Sequence, residues 1–431
     1  MKSAIFIYIF ACLLLCFIIS CQTDTGNSEE KSIVVFKISL KDEAARDLNI
    51  TTMRLRIYNH LTEVVWGPAD YAWDLHGCLL AGVKPGRGYQ LRAEALNAAG
   101  TVYLTGYSEL FDALANQTTD VGNIVLMGVG DWAYTSSFTV PRAYHSSIVY
   151  KDYVYIIGGT DGFEVLDDIQ YAQINPDGSI DSWNFTTSLS NPRSNQTSIV
   201  YNDYLYAMGG DRYQSLSWVE FARINENGTI GSFRLTSSFQ EYRLAHTSVV
   251  YNGYLYVLGG LVNNNDECIN DVLFTEIKSD GTLGQWRFTT SFNGERYGAG
   301  SAVYNGFVYI IGGHNLIHYH DDVQFTAINS DGTVGNWQFT SSLPIPVASR
   351  AAEVHKGYIF VTASQNSLIE YAKINPDGTI NPWEVSATTF ENGRLGQTSI
   401  IHNNFMYVMG GRTGENNETI FNDVQYAPVP E

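Results

Sequence analysis

The segment PRAYHSSIVYKDYVYIIGG, Pro141 to Gly159, returns along the chain in variant copies, and no other feature limits the fold as strongly. PRSNQTSIVYNDYLYAMGG ends at Gly210, RLAHTSVVYNGYLYVLGG at Gly260, RYGAGSAVYNGFVYIIGG at Gly313 and RLGQTSIIHNNFMYVMGG at Gly411. A fainter copy, PVASRAAEVHKGYIFVTAS, ends at Ser364 with Ala363-Ser364 in place of the glycine pair. Units that repeat every 50 residues or roughly so belong to propellers or stacked arrays, because each unit buries its apolar face only against a neighbour.

Each full unit divides into four strand-like pieces. The first follows a recurring Arg, as in HSSIVY from His145, and the second runs into Gly-Gly. The third has the form of DIQYAQIN from Asp168, and the fourth is an aromatic piece such as WNFTTSL from Trp183. Asn202-Asp203 and Asn252-Gly253 join first to second pieces, and Pro176-Asp177-Gly178 or Asp280-Gly281 join third to fourth, compositions that favour tight hairpins. Four antiparallel strands so joined make a propeller blade. The sixth unit runs out at Glu431 after its third strand, while an extra aromatic strand, Trp132 to Phe138, precedes the first unit. The expectation is a six-bladed β-propeller over residues 131–431, with residues 131–138 completing the last blade so that no interior edge is left unpaired.

An apolar strand ending in Gly-Gly, a spaced aromatic in the third strand and a Trp in the fourth (Trp183, Trp286, Trp337, Trp383) resemble the kelch repeat superfamily. The resemblance covers Asp131 to Glu431 and departs from the pattern at Ala363-Ser364, at Phe233 in place of Trp, and at Val347 where the other units carry Arg. The fold class it implies is all-β, a kelch-type propeller.

Residues 32–127 read differently. IVVFKISL, MRLRIYN, YQLRAEAL and TVYLTGYS alternate as strands with one buried face, and about seven short strands in this span suggest a small β-sandwich ahead of the propeller. The run VKPGRGYQLRAEALNAAG resembles the fibronectin type III pattern, which implies an Ig-like or fibronectin-like domain.

The N-terminus opens with Lys2 and the apolar run Ala4 to Ile19, which reads as a secretory signal. Ile18-Ile19-Ser20-Cys21 resembles the bacterial lipobox, implying a lipidated Cys21 followed by a polar tether over residues 21–31; a plain cleaved signal or a single-span anchor is the alternative. This reading places the protein in a bacterial cell envelope, at the outer membrane or cell surface. Cys78 and Cys268 are the cysteines left beyond that point, too few for a disulfide framework or a zinc site. With 25 Lys+Arg against 44 Asp+Glu the net charge is -19, which argues against nucleic acid as a partner.

Antiparallel connectivity puts the uniform hairpin turns on one face of the ring and the loops after Gly-Gly, with those before the recurring Arg, on the other. Recognition is expected on that variable face. Its loops offer Asp161 and Glu164, then Arg212 and Tyr213, then Asp266 and Glu267. Further round lie His314, His318, Tyr319 and His320, then Arg350, Gln365 and Arg412. The HxxxHxH spacing of His314, His318 and His320 has metal-like composition but matches no motif of known mechanics, so a solvated loop is expected and no metal or other cofactor. Arg142, Arg193, Arg243, Arg296 and Arg394 share one register and read as blade structure rather than as a ligand ring, since an asymmetric ligand cannot use five equivalents alike.

The function expected is non-catalytic recognition of a glycan or a protein by an anchored propeller. The alternative is a carbohydrate-active enzyme: sialic acid mutarotases resemble this chain in being six-bladed kelch propellers, and Arg350, Arg212, Glu164 and His314 would take the carboxylate-binding and proton-carrying roles by loop position. Copper oxidases of the galactose oxidase type are kelch-like too, but their Tyr-Cys cross-link and copper ligands have no matching set here.

Overall fold

The computed structural model describes residues 31–40, 50–59, 64–72, 78–98, 102–128, 132–212, 216–262, 267–346, 348, 351–362, 367–386, 388–414 and 419–429. Cys21, Tyr213, Asp266, Arg350 and Gln365 lie outside the described residues. All regular elements in the described residues are strands, and no described helix is long and apolar enough to cross a membrane.

The N-terminal unit has seven strands: β1 (Ser32–Leu40), β2 (Ile50–Tyr58), β3 (Val64–Ala72), β4 (Cys78–Val83), β5 (Gly86–Asn97), β6 (Val102–Ala113) and β7 (Thr118–Gly128). Alternation decides their faces. On β2 the side chains of Met53, Leu55 and Ile57 are buried, while Arg54 turns outward to a two-point pair with Asp70 at 2.7 and 2.8 Å. One apolar core takes residues from all strands but β3, which adds half-buried Val65, Trp66 and Tyr71. Tyr89, three residues after the Gly86 turn, packs edge-on against Phe111.

The strand order is β3-β2-β5-β6-β7-β1-β4, in which β1 runs parallel to β7 and antiparallel to β4. An Ig-like sandwich sets its first strand beside its second. The strands share one apolar core but form one continuous seven-stranded order rather than the two separate sheets of the expected Ig-like sandwich, because alternation specifies which face of a strand is buried and not which strand lies beside it.

Six four-stranded sheets follow, each in the sequential order first to fourth strand. The last is built from Thr398–His402, Phe405–Met409, Val424–Pro428 and β8 (Ala133–Thr135), so the chain's own early segment zips the ring shut. The hairpin turns carry the backbone that tight turns require: Asn202 and Asp203 have φ of 46° and 64°, Asn252 and Gly253 of 46° and 81°.

Neighbouring blades are stitched by residues that the repeat provides at fixed places. Tyr155, Tyr206, Tyr256, Tyr309 and Tyr407, on the second strands, each donate a hydroxyl bond of 2.7 to 2.9 Å to the turn glycine of the next blade: Gly228, Gly281, Gly332, Gly378 and Gly178. Trp183, Trp286, Trp337 and Trp383 reach back from the fourth strand to a carbonyl of the preceding blade at 2.8 to 2.9 Å. Between blades five and six the tyrosine gives way to Phe360. Blade six is closed by two chain ends and has no such turn, so a hydroxyl there would meet no glycine carbonyl. Phe360, Ile369, Met406 and Val429 instead form an apolar seam with Trp132 against it.

The hairpin-turn face meets the N-terminal unit. Asn404 Nδ2 donates to Gln90 Oε1 at 3.2 Å, and the Lys356 ammonium sits 5.7 Å from the Tyr58 ring centre. Both are turn residues of blades five and six, so the variable face points away from that unit.

Candidate functional site

The recurring arginines are part of the frame. Arg142, Arg193, Arg243, Arg296 and Arg394 are buried, and each donates at 2.9 to 3.1 Å to the carbonyl of the first glycine of its pair, Gly158, Gly209, Gly259, Gly312 or Gly410. Each also pairs with a carboxylate on or just before the third strand: Asp168, Glu220, Asp271, Asp322 or Asp423. A guanidinium committed to both a carbonyl and a carboxylate holds the loop on its blade and is not offered to a ligand.

Two residues after each Arg the backbone turns left-handed, at Tyr144 (φ 56°), Asn195 (55°), Ala245 (49°), Gly298 (60°) and Gly396 (65°). Three of these have a β-carbon and are strained by roughly 1 kcal/mol or more. The strain is offset by backbone bonds that pass round the channel mouth. Tyr144 N–H donates to Gly396 O at 2.8 Å, Asn195 to Tyr144 at 2.9 Å, Ala245 to Asn195 at 2.8 Å and Gly298 to Ala245 at 2.7 Å. The ring of bonds aims Tyr144 across the mouth and over Gly396, where a β-carbon would come 2.8 Å from the Tyr144 ring.

Tyr144 forms one wall of a pocket of about 200 Å³ with Tyr297, His314 and Tyr319; Leu395, Gly396, Gln397 and Ala348 complete it. It lies off-centre toward blade five. The Leu316 amide donates to His314 Nδ1 at 3.2 Å, so that nitrogen carries no proton, and the Tyr297 hydroxyl donates to it at 2.9 Å. The His314 ring packs at a 42° tilt against Tyr319 with centres 4.4 Å apart, and burial, then His318, lowers its pKa, which favours the neutral ring. Arg412 Nε donates to the Tyr144 hydroxyl at 3.0 Å with its guanidinium 5.0 Å from the ring centre, so it props Tyr144 in place.

The pocket shares Tyr144 and Gln397 with the central channel, a cavity of about 170 Å³ lined by the first strands. Hydroxyls line part of its wall and some pair between blades, such as Ser146 with Ser198 at 2.7 Å and Thr247 with Ser301. His145 Nε2 meets Thr398 Oγ1 at 3.0 Å and His246 Nε2 meets Thr197 Oγ1 at 2.9 Å. Burial, then the neighbouring Arg, holds both rings at a pKa of about 3, so they are neutral inter-blade braces. Glu353 is the carboxyl among the lining residues. It stands at the register of Ile148, Ile199, Val249, Ala302 and Ile400, and burial raises its pKa to about 8, leaving it mainly protonated at neutral pH.

Of the described candidates, the structure brings His314, Tyr319 and Arg412 together here. Asp161 is occupied in its own turn, accepting the amides of Phe163 and Glu164 at 2.9 and 2.8 Å, and Glu164 is exposed on that turn. Arg212 is exposed in blade two. Glu267, expected on a loop, opens a strand: Leu261 pairs with Cys268 and Val262 with Glu267, extending the blade-three hairpin. There Cys268 is buried against Leu244 and Leu261, and burial, then Glu295, pushes its thiol up to about 11. His318 is exposed, whereas His320 turns to Asp322 at 3.3 Å. The three histidines do not converge, and no group of metal-ligating side chains is found among the described residues.

Tyr144, Tyr297 and Glu353 were not among the sequence candidates. Their signal is a departure inside the repeat: the two positions after the recurring Arg vary from copy to copy, and Glu353 is the charged residue at a register otherwise apolar.

Fold and channel mouth together define a six-bladed kelch-type β-propeller with a recessed aromatic pocket on its variable face. No family model matches the chain. The curated "Kelch repeat protein M-T8" of Myxoma virus (strain Lausanne) is 27% identical over 150 residues, 35% of this chain and 26% of that protein, so the match spans about a quarter of that relative. The solved structure of YjhT aligns with a TM-score of 0.55 at 16% identity, over 67% of this chain and 95% of that one, a likeness of fold.

Proposed function

We propose that the protein is a lipid-anchored cell-envelope binding protein that recognises a glycan, without turnover, in the Tyr144–Tyr297–His314–Tyr319 pocket. The pocket carries the proposal. Flat, neutral aromatic surfaces suit the apolar faces of a sugar ring, the adjoining channel offers hydroxyls and the Gln397 amide for its polar edge, and the volume suits one sugar unit rather than a protein surface. The N-terminal unit abuts the opposite face, so a tether preceding that unit would leave the pocket free to face outward. A panel of neutral and acidic oligosaccharides tests this: saturable binding with no change in the sugar is expected, and absence of binding across the panel would sink it.

One observation favours the enzymatic alternative. Glu353, protonated at neutral pH, lies in the channel that opens into the pocket, where a carboxyl of that kind can give a proton to a sugar oxygen. A bound sugar whose anomers interconvert faster with the native protein than with Glu353→Gln would make the protein an isomerase of the mutarotase kind instead.

A further inference from the structure

The central channel departs from its own repeat at blade five. On four seams the first strands are braced by side chains at fixed places: Ser146 to Ser198, Thr247 to Ser301, His246 to Thr197 and His145 to Thr398. On the two seams that flank blade five the places of the hydroxyl pairs hold Gly300 against Ala352 and Ala351 against Ser399, so neither hydroxyl pair can form. Ser399 meets Thr362 instead, at 3.1 Å. Among these small residues stands Glu353, where the other blades have Ile148, Ile199, Val249, Ala302 and Ile400. Among the described residues no hydrogen bond or ion pair meets its carboxyl group, and burial is the cause of its raised pKa.

The place is open to the variable face. One cavity of about 170 Å³ runs from the left-handed turns at the mouth, at Tyr144, Asn195, Ala245 and Gly298, to Glu353, which is only partly buried. Its wall there combines one carboxyl, the hydroxyls of Ser301 and Ser399 and the methyl groups of Ala351 and Ala352. That mixture suits a slim apolar chain ending in a positive charge with N–H donors. A divalent metal would want several carboxylates or carbonyls, and the lining supplies one carboxyl. The other titratable side chains on the channel are Tyr144, His145 and His246, and both imidazoles are neutral. On the strands packed against Glu353, His355 meets Asn404 at 3.0 Å and His402 turns to Asp152 of blade one at 3.1 Å.

We propose that Glu353 is the anion of a channel site for a primary alkylammonium, a slim amine that enters from the variable face, donates to the carboxylate and the serine hydroxyls, and lays its methylenes along Ala351 and Ala352. The site is in the channel and does not depend on the glycan reading of the aromatic pocket. Binding ionises a carboxyl that is mainly protonated at neutral pH, so one proton passes to solvent for each ammonium taken up, and affinity rises with pH up to about 8.

The probe is n-butylammonium chloride, titrated calorimetrically into the full chain at constant ionic strength, with 1-butanol as the uncharged control and tetramethylammonium as the cation without N–H. Saturable binding with a Kd on the order of millimolar is expected at pH 8.5, about tenfold or more weaker at pH 6.5. Buffers of different ionisation enthalpy should show roughly one proton released per amine near neutral pH. Glu353→Gln is expected to abolish binding and proton release while keeping the native Tm at pH 7, where the carboxyl it replaces is mainly neutral. Ala351→Thr, which restores the residue found at Thr197, Thr247 and Thr398, should narrow the seat and weaken binding severalfold. Absence of saturable butylammonium binding at pH 8.5, equal binding of 1-butanol or tetramethylammonium, or binding retained in Glu353→Gln would overturn the proposal. So would an amine that binds only after Arg350→Ala, because Glu353 would then already hold a cation of its own chain.

Discussion

At the scale of the residue, the same side chain means different things according to whether its partner is present. Glu220 and Glu370 share a register and burial; the first faces Arg193, and the second has its pKa raised to about 7 by burial. A carboxyl whose folded pKa lies above its unfolded value of 4.5 favours folding fully below that value, and the contribution is lost as pH rises from 4.5 through 7. Stability of the native protein is therefore expected to decline across that window, with Glu353 extending the decline to about 8. Glu370→Gln should flatten its share and gain up to about 3 kcal/mol at pH 8, measured by denaturant unfolding at a series of pH values. An unchanged slope would show that Glu370 finds a charge partner in solution. The recurring arginines were readable as structure because five copies argued against a single ligand. Tyr144, Tyr297 and Glu353 were not readable as site residues, since their value depends on where the ring of left-handed turns aims one side chain and where the channel opens beside it.

At the scale of the element, the blade repeats a set of bonds whose presence follows the neighbour it meets. Tyrosine recurs on the second strand wherever the next blade offers a turn glycine, and Phe360 stands where ring closure removes that turn. Tyr206→Phe should cost about 1 kcal/mol or more, by loss of its bond and an unsatisfied Gly281 carbonyl, whereas Phe360→Tyr should fail to stabilise, having brought a hydroxyl to an apolar seam. Equal effects of opposite sign in urea unfolding would contradict this account of the seam. Hairpins, blade count and closing strand were legible in the sequence because tight turns and Gly-Gly are local signals. The order of strands in the N-terminal unit was not, because pairing of β1 with β7 and β4 is a choice among distant partners that share the same alternation.

At the scale of the whole molecule, the N-terminal unit meets the uniform face through Asn404 and Lys356, and the variable face carries the pocket on the far side. Two-sidedness of this kind suits a protein held at one end and recognising at the other. We propose that the aromatic pocket, rather than the rim of exposed loops, is the recognition site. Its most direct test is titration calorimetry of the best oligosaccharide from the panel against three variants. Tyr319→Ala and Tyr144→Ala should each weaken binding about tenfold, from the loss of roughly 1–1.5 kcal/mol of ring contact, and Phe163→Ala, on the exposed blade-one turn, should leave it unchanged. Undiminished affinity in both pocket variants, or a loss confined to Phe163→Ala, would contradict the claim.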